Sequence, residues 1–190
     1  MRRELDVHYD EETGAWFGKS TPISSAEMQG RIWRYRDLTP SPRAFLDCTL
    51  PGHVRTLFSA LGQGADDEQL EGTAVERAEN YHIDFVKAAP GNGAALHSHG
   101  SEETFVALTG RWKLFWGDRG EESAVLEPFD GIVVPDGVLR GFSNVSESEA
   151  VLLVVLGAHN TGHCIWSEAL RPAFAGLSGE NGGPPPKETR

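Results

Sequence analysis

Between positions 81 and 157 the chain is a series of short apolar segments, each cut off by glycine, proline or a polar turn. The segments 81–88, 94–99, 103–108, 112–116, 124–127, 131–134, 140–144 and 150–156 are too short for stable helices, and several are rich in β-branched or aromatic residues. Turn-forming stretches separate them, among them Pro90-Gly91-Asn92-Gly93, Gly100-Ser101, Gly110-Arg111 and the run 117–122. Short strands recurring roughly every 8–12 residues with turn signals between them predict an all-β sandwich or barrel. A chain of 190 residues holds one such domain with extensions.

Residues 1–30 are polar and weakly patterned, and read as an arm that pairs at a sheet edge or a subunit contact. From Gly30, Ile32, Arg34 and Arg36 alternate with Trp33 and Tyr35, which predicts a strand. The run 54–61 is apolar and closes on Gly62-Gln63-Gly64, while the acidic stretch 66–80 is either a short surface helix or a loop. A short helix over 167–174, capped by Ser167, follows the barrel pattern. The composition of 178–190 predicts disorder. The division is therefore an arm with additional strands or a cap over 1–80, a barrel over 81–157, a C-terminal extension over 158–177 and a tail over 178–190.

Composition narrows the partners. Against 17 Lys and Arg stand 28 Asp and Glu, a formal charge of −11, which repels phosphate backbones and anionic lipid. No run approaches the about 18 apolar residues of a membrane-spanning helix, and Met1-Arg2-Arg3-Glu4-Leu5-Asp6 lacks the apolar core of a secretory signal. Cys48 and Cys164 form no C-x-x-C pair. The expectation is a cytoplasmic protein with reduced thiols and a small-molecule partner.

The chemistry concentrates at His97-Ser98-His99, with Glu103 four residues on. In a strand, residues i and i+2 share a face, so both imidazoles project together. A turn at Gly100-Ser101 returns Glu103 beside them. Two imidazoles and a carboxylate suit one divalent first-row metal: iron, manganese, nickel or zinc. Weaker candidates are Tyr81, Phe105, Trp112, Trp116 and Phe142, read either as pocket lining or as plain core.

The spacing Gly91, five residues, His97, one residue, His99, three residues, Glu103, six residues, Gly110 resembles the first motif of the cupin superfamily. The resemblance implies an antiparallel double-stranded β-helix, a jelly-roll barrel, with a metal inside it at His97, His99 and Glu103. The second motif of that family is matched by Pro135, Gly137 and Asn144, but Arg140 stands where a fourth ligand, histidine, is expected. Arg has no lone pair for a metal. Three roles are open to it: gripping an anionic substrate inside the barrel, repelling the metal, or pairing with an acid at the surface. His82, His159 and His163 are the candidates to replace the missing ligand, His82 foremost because it precedes the motif by one strand.

The family's range leaves two expectations. One is a mononuclear metal-dependent enzyme, dioxygenase-like, acting on a small anionic organic molecule, with Arg140, Phe105 and Tyr81 against the substrate. The other is a non-catalytic barrel that binds or senses a small ligand. Either form is expected as a homodimer, with Trp16, Phe17, Trp33 and Tyr35 offering apolar surface.

Overall fold

The computed structural model describes residues 6–66, 68–158 and 160–177. The tail at 178–190 and His159 lie outside the described residues. The chain divides into two compact units, 1–32 and 33–190.

In the first unit, strands β1 (Val7–Asp10) and β2 (Ala15–Gly18) form an antiparallel hairpin. Its turn is held by Asp10, whose Oδ1 accepts from the Thr13 N–H at 2.7 Å. A short helix, α1 (Ser25–Gln29), follows, started by a reciprocal capping pair between Ser24 and Glu27.

The second unit is β-rich. Its strands are β3 (Pro40–Ser41), β4 (Thr56–Leu61), β5 (Thr73–Val75), β6 (Tyr81–Ala88), β7 (Gly93–Ser98), β8 (Glu103–Ala107), β9 (Trp112–Trp116), β10 (Glu122–Leu126), β11 (Gly131–Val134), β12 (Arg140–Asn144), β13 (Ala150–Gly157) and β14 (Ile165–Trp166). They assemble into two sheets. One runs β10-β9-β12-β7-β14, and the other runs β11-β8-β13-β6-β4-β3 with β5 beside β4. Every pairing is antiparallel except β4 with β5. A single apolar core is built from both sheets, centred on Phe105, Trp112, Leu114, Leu152, Val154 and Phe142. The alternating burial of β6 and β13 is the mark of sheets with one face inward.

The eight strands expected between 81 and 157 all form, with ends within two residues of expectation. The strand expected from Gly30 does not. Residues 31–34 are irregular and Tyr35–Asp37 is a 3₁₀ turn, because the alternation is short and has no partner strand. Tyr35 packs its ring on Phe58 and Phe85 instead, at 5.4 and 5.2 Å between centroids. Of the stretch 66–80, the described residues are loop with the short strand β5. The helix at the C-terminal end is present as α2 (Arg171–Leu177), entered through a 3₁₀ turn capped by Ser167.

Two motif positions are structural. Gly110 sits at φ +67°, where a side chain is strained, and an added Cβ would run into Ser146 and Ala150. Asn144 is fully buried and makes three hydrogen bonds of 2.8 Å. It donates to the carbonyls of Ala88 and Ser148 and accepts from the Ser146 N–H, stitching the β12–β13 turn to β6.

Candidate functional site

The register of the two sheets lines up the candidate residues. On the first sheet, Arg140 pairs with Trp116 on one side and His97 on the other, and His97 pairs with Trp166. On the second, Leu156 lies between Glu103 and His82, and Val154 lies between Phe105 and Asp84. Period-two alternation turns His82 and Asp84 inward from β6, while Tyr81 turns outward.

His97 reaches the interior through an irregularity. Arg140 pairs with His97 but Phe142 pairs with Ala94, so β7 carries one residue more than β12 there. This bulge lets Ala94 and His97, three positions apart, both line the cavity. The Ala95 backbone between them is satisfied by side chains. Its N–H donates to Asp47 Oδ2 at 2.9 Å, and its carbonyl accepts from His97 Nδ1 at 2.7 Å. A carbonyl only accepts, so Nδ1 carries the proton and Nε2 keeps its lone pair. Asp47 is in turn held by Arg55 Nη1 at 2.9 Å, with both side chains buried.

The interior cavity has a volume of about 30 Å³, bordered by His82, Asp84, His97, His99 and Glu103 from the strands and by Glu68 from the loop after β4. That volume suits an ion with a water and falls far short of the roughly 300–1,000 Å³ of organic-ligand sites. The rings of His97 and His99 meet edge to face at 5.1 Å. Burial and the Arg140 cation hold His97 well below the usual imidazole range, and the same two causes bring His99 down to about 3. Both are therefore neutral at physiological pH, the form that ligates metals. His99 Nδ1 is buried with no hydrogen-bond partner.

Arg140 points inward and is fully buried. Its Nε donates to Glu103 Oε2 at 2.7 Å, its Nη2 lies 2.5 Å from the same oxygen, and its Nη1 donates to the carbonyl of Val138 at 3.2 Å. Burial pushes the Glu103 carboxyl upward and the guanidinium opposes that shift.

Of the predicted ligands, His97 and His99 converge. The third donor that joins them is Cys164, a buried thiol; the three ligand atoms lie within 4.8 Å of one another. Glu103 borders the same cavity, but its carboxylate is turned to Arg140 and belongs to neither converging group among the described residues. Two neutral imidazoles beside a thiol, one imidazole nitrogen unpartnered, fit a first-row divalent metal.

The remaining candidates fall elsewhere. Arg140 is not at the surface, and its guanidinium is engaged by Glu103 rather than open to a substrate anion. Phe105 is core, packed on Phe142 at 5.5 Å. Tyr81 is 47% exposed and outside the cavity, because the alternation that brings His82 in sends its neighbour out. Trp112 is core, and His163 is exposed. His82 does border the cavity. Glu68, Asp84 and Cys164 were not foreseen, although Asp84, two residues beyond His82 in a strand, was open to the same face argument that joined His97 to His99.

Outside the barrel, residues from the 3₁₀ turn Leu46–Thr49, from β14 and from α2 border a groove of about 680 Å³. Cys164 and Trp166 form part of its wall, and Trp166 touches both His97 and Phe174, at 5.6 and 5.3 Å between ring centroids. The groove thus reaches the back of the His97–His99–Cys164 group. Among the described residues, no helix is long and apolar enough to cross a membrane.

Residues 84–156 match the family model described as "Cupin domain". No curated protein matches the chain. Among solved structures, the polyketide cyclase RemF from Streptomyces resistomycificus aligns at 16% identity and a TM-score of 0.50, over 66% of this chain and 78% of that one. TT1209 from Thermus thermophilus aligns at 26% identity and a TM-score of 0.45, over 67% and 97%. KdgF from Halomonas sp. aligns at 15% identity and 0.43, over 58% and 83%. The first of these likenesses supports the fold and nothing finer. With the motif spacing of 91–110, the two antiparallel sheets and the family match in agreement, the region 84–156 is a cupin domain.

Proposed function

We propose that this chain is a mononuclear metal-dependent enzyme acting on a small organic molecule, with dioxygenation the favoured chemistry. The observation that carries the reading is the convergence of two buried, neutral imidazoles with a buried thiol, the imidazoles bordering a cavity of about 30 Å³ and the thiol reaching them from the groove side. His97 and His99 would be ligands, with Cys164 or Glu103 completing the set. The metal would supply Lewis acidity or redox chemistry toward dioxygen, since few protein ligands leave positions open. Ala95 orients His97 by accepting from its Nδ1. Arg140 holds Glu103 in place rather than gripping a substrate anion. The organic molecule approaches through the groove lined by Trp166 and Phe174, whose volume of about 680 Å³ is in the range of ligand sites.

Elemental analysis of protein purified without a metal-binding tag tests this. Near-stoichiometric iron, manganese, nickel or zinc, lost in His97→Ala, is the expected result. A second reading is favoured by Arg140 standing where a ligand histidine is expected: a metal-free barrel that binds a small molecule without turning it over. Metal absent after incubation with each ion would select that reading.

A further inference from the structure

The same cavity carries a second group of donors that the motif does not designate. His82 and Asp84 face inward from β6, and Glu68 is delivered by the loop that follows β4, so that one ligand atom from each lies within 4.8 Å of the other two. That loop is anchored on both sides. The Ala65 N–H donates to Glu68 Oε2 at 3.0 Å, the Gln69 N–H donates to the Ala44 carbonyl at 2.8 Å, and the Asp66 N–H donates to the Gly162 carbonyl at 2.9 Å. Glu68 is therefore positioned by the backbone around it.

Three observations point to a cation here. Asp84 is 3% exposed, and its Oδ1 has no hydrogen-bond partner; the same holds for Nδ1 of His82, which is 2% exposed. Among the described residues, the ion pair of Asp84 is with His82 and with no lysine or arginine, because Arg55 is committed to Asp47 and Arg140 to Glu103. Finally, His82 Nε2 and Asp84 Oδ2 are 3.3 Å apart. That is long for a charge-assisted hydrogen bond, about 2.7–2.9 Å, and close to the about 3.4 Å that separates two ligands at 2.0–2.1 Å on one tetrahedral ion.

We infer that Glu68, His82 and Asp84 form a divalent-cation site of their own, distinct from the His97–His99–Cys164 group. Two carboxylates and one imidazole make a harder donor set than two imidazoles and a thiol, so this site takes manganese, iron(II) or zinc in preference to softer ions. It goes beyond the proposed function and stands whether or not the histidine pair binds metal.

The test is titration of metal-stripped full-length protein with Mn²⁺ alone and with Zn²⁺ alone, read by calorimetry and by metal retained after gel filtration. Six proteins are compared: wild type, H97A/H99A, D84N, E68Q, H97A/H99A/D84N and H97A/H99A/E68Q, each checked for an unchanged circular dichroism spectrum. The H97A/H99A variant is expected to retain one equivalent, with D84N and E68Q each weakening that binding at least tenfold when added to it. A wild type that binds one equivalent, lost in D84N but kept in H97A/H99A, supports the site and removes the histidine-pair reading instead. Failure of H97A/H99A to bind either ion, with the fold intact, overturns the inference and leaves a His82–Asp84 ion pair only. Should D84N misfold, E68Q, at a partly exposed loop position, decides the matter alone.

Discussion

Arg140 and Glu103 meet across the barrel interior from opposite sheets, with Nε and Nη2 of the arginine both on Oε2 of the glutamate, and the two residues are 1% and 3% exposed. Removing one partner of a buried pair leaves the other charge uncompensated, at a cost of about 3–5 kcal/mol, whereas replacing both by apolar residues of similar volume is close to neutral. Arg140→Ala should therefore lower the urea midpoint sharply, and Arg140→Met combined with Glu103→Met should recover most of the loss. Equal destabilisation in the single and double variants would show that packing, not charge, holds this contact.

The same contact withholds Glu103 from the histidine pair. Arg140→His removes the cation that faces His97 and His99 and supplies an imidazole in its place. Metal affinity should rise by about tenfold or more, measured by competition with a chromophoric chelator. An unchanged affinity with the fold intact would mean that Glu103 is not the ligand Arg140 keeps away.

Acid should destabilise the metal-free protein through His99. Its pKa is lowered to about 3 from an ordinary 6.5, chiefly by burial and next by Arg140, so the unfolded chain binds a proton that the folded chain refuses between those values. The stability this group contributes is complete above about pH 6.5 and falls away as the pH drops toward 3, by up to roughly 5 kcal/mol. Urea melts from pH 7 to pH 4 should show this slope in wild type and a shallower one in His99→Gln.

Asp47 acts on the site without bordering the cavity. It holds the Ala95 N–H and Arg55, and the Ala95 carbonyl in turn fixes the tautomer of His97. Asp47→Ala should cost about 3–5 kcal/mol by stranding Arg55 and weaken metal binding at His97 by about tenfold or more. Unfolding and metal titration on one preparation separate the two effects.

The barrel was legible because each strand from 81 to 157 carries its own apolar pattern and its own turn, so local chemistry and tertiary placement agree. The arm was less so. Five alternating residues from Ile32 to Arg36 satisfy a period of two without saying whether a neighbouring strand exists, and among the described residues none pairs there. The histidine pair was readable because both members lie on one short extended stretch, His97 within β7 and His99 one residue past its end. The engagement of Glu103 by Arg140 joins residues 37 positions apart, and Cys164 reaches His97 only because β14 pairs with β7. Such contacts are products of sheet order, which no local pattern encodes. Nor does the H-x-H spacing reveal that a bulge in β7 is what turns His97 and Ala94 to the same side.

The cavity of about 30 Å³ and the groove of about 680 Å³ are built from different stretches of chain. All the groove's bordering residues lie outside 84–156, in the turn at Leu46–Thr49 and in the segment from Cys164 to Leu177, while the histidine pair lies inside the matched domain. Substitutions from Ile165 to Leu177 can therefore redraw what the groove admits while His97 and His99 stay as they are, but Cys164 belongs to both the groove wall and the donor group, and a change there alters the two together. Cys164, shared by groove and donor group, is thus the point at which the two features cannot vary independently.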